Sequence, residues 1–459
     1  MFLFFSAIFL FRGCICSVEI KVGAALLDDS FSQSPLTVQT FGGAINIALE
    51  DCRRNDLVNR TYKLSLVWVN DFCDSRNGPK VHFDLIEQEK VDILLGTVCS
   101  WVTKLTAPYA LYKNIMVYSM SSADRDLQNK TIYANLVRAG APNIDTIGFS
   151  VVKVLEHFNW KTVSIMSVSE NYCGLGIKSV ENIIRNRKDF RLAETFLMKL
   201  NDSKDALESA LRKISMTSRI VVVCLRQIQI REMIQIANKL GMSANQYIFL
   251  YFTLVPDEFT VRPWGNIIKN NEEKKIKDGF ESLIQLTLSS LAGPTVDKFL
   301  SRIPLESSKY PFYKREYLEK NWTVTGYSVF AYEVTYLLCN IINETVSQGK
   351  SVKDIDWMMS ITKNRKFKTK FGDGTIDSNG DRLPNYLLWR YDTTTGSYRQ
   401  WLNITFNTEI HSNRSEINTI YNHKWSTKNQ LPPPDIPLCG FKHELCPPTP
   451  KGSIKMTQL

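Results

Sequence analysis

Residues 91–127 read VDILLGTVCSWVTKLTAPYALYKNIMVYSMSSADRDL, and this stretch decides the fold class. Two short β-branched runs, VDILLGTV (91–98) and IMVYSM (115–120), flank a helical stretch at about 101–112. Apolar runs of this length, with little polar alternation, suit strands buried on both faces of a sheet. Strand, helix and strand in succession make the βαβ unit of a parallel sheet with helices on its faces. Upstream the pattern repeats, with strands VEIKVGAALL (18–27) and YKLSLVWVND (62–71) and a helical stretch at about 79–90. The helix between those two strands carries Phe41, Ala44, Ile45, Ala48 and Leu49, a three-and-four spacing that places them on one face.

A second series starts with PNIDTIGFSVVKVLEHFNW (142–160), a helix opened by Pro142 and Asn143. Strands TVSIMSVS (162–169), ETFLMKL (194–200), IVVVCL (220–225) and YIFLYF (247–252) follow, separated by helices after Gly174, at 203–216 and at 227–240. Two successive series predict an α/β protein of two lobes, each a mainly parallel sheet flanked by helices. Residues 262–278 are polar and read as a loop on the second lobe; FESLIQLTLS (280–289) reads as a strand. A helix is predicted at about 324–346, with Tyr327, Phe330, Ala331, Val334, Leu337, Leu338 and Ile341 as its core stripe. Residues 367–406 alternate short strands with Gly, Asp and Asn turns, a hairpin pattern. From about 426 the chain turns to Pro and Lys and reads as a stalk, not a core.

The 459 residues, 44% hydrophobic and 22% charged, have ordinary globular composition and exceed one compact domain. The chain opens MFLFFSAIFLF, too short an apolar run to span a bilayer and suited to a secretory signal peptide over residues 1–17. Seven N-x-S/T sequons, at Asn59, Asn129, Asn201, Asn321, Asn343, Asn403 and Asn413, agree with export. Of ten cysteines, Cys14 and Cys16 fall in or beside the leader, leaving an even eight for disulfides in an oxidising compartment. The net charge of +10 is dispersed, so a solvated charged face is preferred to a nucleic-acid site. No later stretch is long and apolar enough for a membrane span.

No nucleophile elbow, P-loop or zinc-binding HExxH motif is present, and the five histidines are scattered. Asp373, Asp377, Asn379 and Asp381 cluster in GDGTIDSNGD, but Leu388 stands where a calcium loop would need its bidentate Glu, so tight turns are the better reading. No catalytic group, metal or cofactor is predicted. The strand C-termini of two facing lobes define a cleft, and the loops there hold the candidate ligand contacts Ser100, Trp101, Ser121, Ser122, Asn171 and Tyr172, with Asp124, Phe252 and Thr253 nearby. Ser100 can equally be a helix N-cap.

Taken in order, residues 91–127, LEHFNWKTVSIMS (155–167) and FGDGTIDSNGDRLPNYLLW (371–389) resemble the ligand-binding region of natriuretic peptide receptors and receptor guanylate cyclases, the nematode set above all, over essentially 18–446. The resemblance implies a type I periplasmic-binding-protein fold and a receptor-type module for an extracellular peptide or small-molecule ligand. It places lobe one at 18–138 with about 324–362, lobe two at 139–323 with about 363–406, and a stalk and polar tail at 407–459. It also implies homodimers, in which a hormone can bind between protomers instead of in the cleft. Such receptors continue into a membrane helix, a kinase-like domain and a cyclase domain, so a chain running to Leu459 is expected to be a receptor fragment or a secreted relative. The resemblance pairs Cys73 with Cys99, Cys173 with Cys224 and Cys439 with Cys446, leaving Cys52 and Cys339 as free buried thiols or a further bridge. Ala139–Pro142, where the first series ends, is the expected hinge. The competing functions are an amino-acid-binding lobe pair like those of class C receptors, partly supported by Ser100, Ser121 and Ser122, and a secreted α/β enzyme such as a glycosidase, for which no carboxylate motif is evident.

Overall fold

The computed structural model describes residues 18–446 except 29–35, 59–61, 170, 200, 256–257, 266–272, 292, 316–323 and 407–414. The signal peptide and the sequons Asn59, Asn321 and Asn413 lie outside the described residues. The first series builds β1 (Val18–Leu26), α1 (Val38–Arg54), β2 (Tyr62–Asn70), α2 (Asn77–Glu87), β3 (Ile93–Gly96), α3 (Ser100–Tyr112), β4 (Met116–Ser119) and β5 (Leu136–Arg138). These strands form one five-stranded parallel sheet in the order β2-β1-β3-β4-β5. The stripe predicted for α1 is buried throughout, against the face of that sheet.

The second series supplies α4 (Asp145–His157), β6 (Thr162–Val168), α5 (Asn171–Arg185), β7 (Arg191–Met198), α6 (Lys204–Ser215), β8 (Ile220–Cys224), α7 (Gln227–Lys239) and β9 (Ile248–Phe252). After α8 (Glu258–Val261) and α9 (Glu273–Gly279) comes β10 (Leu283–Leu288), parallel to β9. The polar stretch read as loop thus contains a helix, one whose sequence EKKIKDG has no wide apolar stripe to announce it. Helices α10 (Pro294–Leu300) and α11 (Ile303–Ser307) return the chain to the first lobe, where α12 (Ser328–Ser347) packs on α1, followed by α13 (Ile355–Thr362).

The segment 363–406 divides. Strands β11 (Lys366–Thr369), β12 (Gly372–Ile376) and β13 (Arg382–Leu383) make a small antiparallel sheet. Strands β14 (Asn385–Asp392) and β15 (Ser397–Phe406) instead join the second sheet antiparallel to β10. That sheet runs β16-β15-β14-β10-β9-β8-β6-β7, with β16 (Ser415–Thr419) on its edge.

Within the stretch 407–459 expected as stalk and tail, residues 415–435 instead pack on the second lobe. β16 extends the sheet, and Trp425 is buried among Phe158, Trp160 and Trp401, whose ring centroids lie 5.4–6.0 Å from its own. The Trp160 indole donates to the Pro433 carbonyl at 2.8 Å, and Asp435 accepts from the Lys161 and Thr162 amides at 2.7 and 2.6 Å. Arg390, fully buried, lies with its guanidinium 3.5 Å from the Trp425 ring centroid, and burial lowers its pKa to about 9. A Pro-rich segment can belong to a core when one aromatic residue anchors it. Sequence composition does not reveal which aromatic does so.

Three crossings join the lobes, and charge holds two of them together. Arg138, at the end of β5, donates Nε to Asp381 at 2.8 Å and Nη2 to its other carboxylate oxygen, and both residues are 1% exposed. Lys130 reaches Asp381 at 3.2 Å, and the Arg138 amide donates to the Gly380 carbonyl. Beside them Arg382 donates to Glu333 of α12 at 2.5 and 3.3 Å and to the Ala139 carbonyl at 3.3 Å. Asp377 accepts from the amides of Asn379 and Asp381, closing the tight turn expected in GDGTIDSNGD. Strands β11–β13 are therefore tied to α12 and to Arg138 of the first sheet. The expected hinge 139–142 is itself packed: Ala139 and Ala141 are buried, and a Cβ at Gly140 would collide with the Met120 carbonyl, a close approach that glycine permits.

Burial would raise the Asp381 pKa, but Arg138 and Lys130 outweigh it and hold the carboxyl below its usual range. Asp377 is pushed up to about 6, by burial first and by the charge of Asp381 second. Its folded pKa exceeds the unfolded value of about 3.9, so the stability it contributes is full below pH ~4 and is lost as pH rises through about 6. Asp381 has the opposite sign, contributing above pH ~4 and failing on acidification. Asp377→Asn keeps an acceptor oxygen for both amides. It should leave Tm unchanged at pH 4 and raise it at pH 7.5, by on the order of 1 kcal/mol of stability; a uniform loss across that range would contradict the assignment. Trp425→Ala should cost about 3–5 kcal/mol in urea unfolding and open 420–437 to proteolysis, whereas a stalk residue would change stability by less than about 0.5 kcal/mol.

Candidate functional site

The C-terminal ends of β3 and β4 run into the loops that hold the first-lobe candidates. Their hydroxyls are turned inward. Thr97, Thr103 and Ser122 form a buried hydroxyl triangle, with Thr97 to Ser122 at 3.1 Å, Thr103 to Ser122 at 2.7 Å, and Thr97 bonded directly to Thr103. Ser119 donates to the Thr97 carbonyl at 3.2 Å and accepts from the Ser122 amide at 3.0 Å. Ser121 donates to the Val98 carbonyl at 2.8 Å. Ser122 is 1% exposed, so it holds the loop instead of facing a cleft.

Ser100 is the first residue of α3 and not its cap, which is Cys99; its Oγ accepts from the Asp124 amide at 3.3 Å. Trp101, beside it, is 36% exposed and is the first-lobe candidate most open to a ligand. Cys73–Cys99, with Cα atoms 5.7 Å apart, ties the turn after β2 to the start of α3. Next to this bridge Asp71 is fully buried and accepts from the Cys73 amide, and burial pushes its pKa up to about 6.

On the second lobe Asn171 opens α5, its side chain lying outside the described set. Tyr172 is half-buried, with its ring edge-on to Phe252 at 6.4 Å and its hydroxyl 3.5 Å from Thr253. Cys173–Cys224, with Cα atoms 5.5 Å apart, fastens α5 to the end of β8. Between the lobes Arg125 pairs with Asp145 at 3.5 Å, and Asn143 donates to Gln128 at 3.1 Å.

The third bridge joins Cys439 and Cys446, Cα atoms 4.3 Å apart, whereas Cys52 of α1 and Cys339 of α12 are free, buried thiols. Burial, with the Cys339 thiol as hydrogen-bond partner, raises the Cys52 pKa far above the usual thiol range. Among the described sequons Asn129 and Asn201 are exposed, while Asn343 within α12 and Asn403 within β15 are half-buried.

A cavity of about 300 Å³ sits at the crossings, lined among others by Pro142, Ser289, Phe330, Asp373, Arg382 and Asn385. It draws on the first and third crossings and on the end of β10, and none of the six candidate residues lines it. It offers a guanidinium, a carboxylate and an amide around apolar walls, a composition suited to holding a small polar molecule. Sequence reading missed it because Asp373 and Arg382 lie in a motif dominated by turn residues. Arg382 reaches Glu333 of α12, while Asp373 is exposed on β12 opposite Lys368 of β11.

The chain matches the family described as receptor family ligand binding region over residues 41–394. It is 25% identical to bovine atrial natriuretic peptide receptor 3 over 383 residues, covering 81% of this chain and 68% of that protein. It is 18% identical to rat guanylate cyclase 2G over 429 residues, covering 91% of this chain and 38% of the cyclase. With the receptor-type guanylate cyclase gcy-7 of Caenorhabditis elegans it shares 23% identity over 461 residues, 93% of this chain and 40% of that protein. The chain thus spans about two thirds of the first relative and about two fifths of the cyclases. With its two helix-flanked sheets joined by three crossings, the chain belongs to the receptor ligand-binding family, whose domain has the periplasmic-binding-protein-like fold.

Proposed function

We propose that the chain is the extracellular sensing module of a receptor-type protein, secreted, N-glycosylated and homodimeric, which binds a peptide or small extracellular cue. Binding shifts the arrangement of its lobes or protomers. The observation that carries this reading is the family match over residues 41–394, which takes in strands of both sheets and the three crossings, together with a polar cavity where the crossings meet. A ligand drives such a shift only through unequal affinity for the two states, so its contacts must come from both moving bodies.

On this reading residues 18–138 move with about 324–383, because β11–β13 are bound to α12 and Arg138, and residues 139–323 move with β14 and β15. Of the candidate contacts, Trp101 on the first body and Tyr172 on the second are the ones placed to sense a ligand in the cleft. The amino-acid-receptor reading loses support, since Ser121 and Ser122 spend their hydroxyls inside the loop.

The test is small-angle scattering with titration calorimetry on the purified chain, using a panel of extracellular peptides and small metabolites. Trp101→Ala and Tyr172→Ala should each weaken a bound ligand about tenfold and abolish the change in scattering. Full affinity in both variants would reject the cleft and favour a peptide held between protomers. The absence of any binder that shifts scattering would reject the sensing role.

A further inference from the structure

We propose that the first lobe carries a second site, remote from the crossings, for an amphipathic acid: an apolar tail ending in a carboxylate or similar anion. It lies between α1, the edge strand β2 and the segment 303–313, and it does not rest on the cleft reading.

The site follows from how the first sheet is covered. Helices α1 and α12 pack together across one face, with Cys52 and Cys339 buried at their contact, and so shield the central strands. β2 lies at the sheet edge, and no residue from Lys63 to Asn70 is fully buried although the strand reads KLSLVWVN. Among the described residues its cover on that side is α11 and the segment after it, held in place by specific bonds. The Gly43 amide donates to Ser307 at 2.8 Å, Asn46 to the Glu306 carbonyl at 2.9 Å, and the Trp68 indole to the Pro311 carbonyl at 2.9 Å. The space left is a cavity of about 450 Å³, within the range of roughly 300–1,000 Å³ typical of small-molecule sites.

Val22, Leu49, Leu64, Leu66, Leu95 and Leu338 line it together with Ser65, Asn46 and Thr335, so more of its surface is apolar than polar. The mouth is charged, and most of its charge is committed. Glu50 is taken by Arg302 at 2.8 Å and Arg54 at 2.5 Å, and Glu306 by Lys309 at 2.9 Å and Arg302 at 3.5 Å. Among the described residues Arg53 makes no ion pair, and Lys63 reaches only Glu19 at 3.4 Å, both being well exposed. The charge left without an ion pair at the mouth, among the described residues, is therefore the Arg53 guanidinium, with Lys63 shared only with the exposed Glu19, while Tyr310, 69% exposed, stands at the rim. An anion with an apolar tail satisfies both features; a neutral alcohol satisfies one, and a cationic amine is repelled.

Titration calorimetry of the full purified chain with decanoate, decanol and decylamine tests this. Decanoate should bind saturably, one per chain, at least tenfold more tightly than decanol, and decylamine should not bind. Arg53→Gln with Lys63→Gln, both at exposed positions, should weaken decanoate at least tenfold and leave decanol unchanged, and Leu66→Trp should block both. Trp101→Ala should retain decanoate binding, which separates this site from the cleft. No saturable decanoate binding, equal affinity for acid and alcohol, or undiminished decanoate binding in the double variant would overturn the proposal.

Discussion

Arg138 and Asp381 stand 243 residues apart in the chain, each 1% exposed, and their paired charges fix the first crossing against the third. Around them Lys130 and Arg382 supply two more cations, and Glu333 and Asp377 two more carboxylates. Two ion-paired sets, Asp381 with Arg138 and Lys130, and Glu333 with Arg382, therefore lie side by side at the crossings. A single charge taken from water into such an interior costs several kcal/mol, and only close pairing with satisfied hydrogen bonds offsets it. The network cannot tolerate partial opening. Either both crossings are docked, or several charges lose their partners together.

That constraint organises the rest of the structure. It pins the small sheet β11–β13 to α12, which in turn packs on α1 over the first sheet, and it places Arg382 at the wall of the cavity at the crossings. The second sheet is tied in by different means. Its edge hairpin and the aromatic cluster around Trp425 hold the C-terminal segment against α4 and β6 through Trp160 and Asp435. The boundary of the first lobe is thus held by charge and that of the second by stacked aromatic rings.

The parallel sheets were legible in the sequence because strands buried on both faces leave unbroken apolar runs, as in ILLG of β3 and IVVVC of β8. Helices with wide stripes, α1 and α12, were equally plain. The short helix 273–279 was not, because EKKIKDG holds a single apolar residue, Ile276, and so no stripe. The candidate site was legible only in part. Sequence located the loops at the strand ends, and the resemblance supplied the three cysteine pairings, but the direction of a hydroxyl is set by tertiary neighbours. Ser122 therefore turned out to brace its loop against Thr97 and Thr103. The Arg138–Asp381 pair was invisible for the same reason: nothing local distinguishes a charge bound for the interior from one bound for solvent.

The most direct test of this account is a double-mutant cycle at the network, with Arg138→Met, Asp381→Leu and the combined variant measured by urea unfolding. If the pair locks the crossings, each single change should cost about 3–5 kcal/mol by stranding a buried charge, and the double variant should cost far less than their sum. Strictly additive small losses would contradict it, showing the two side chains to be independently solvated and the crossings to be held by something else.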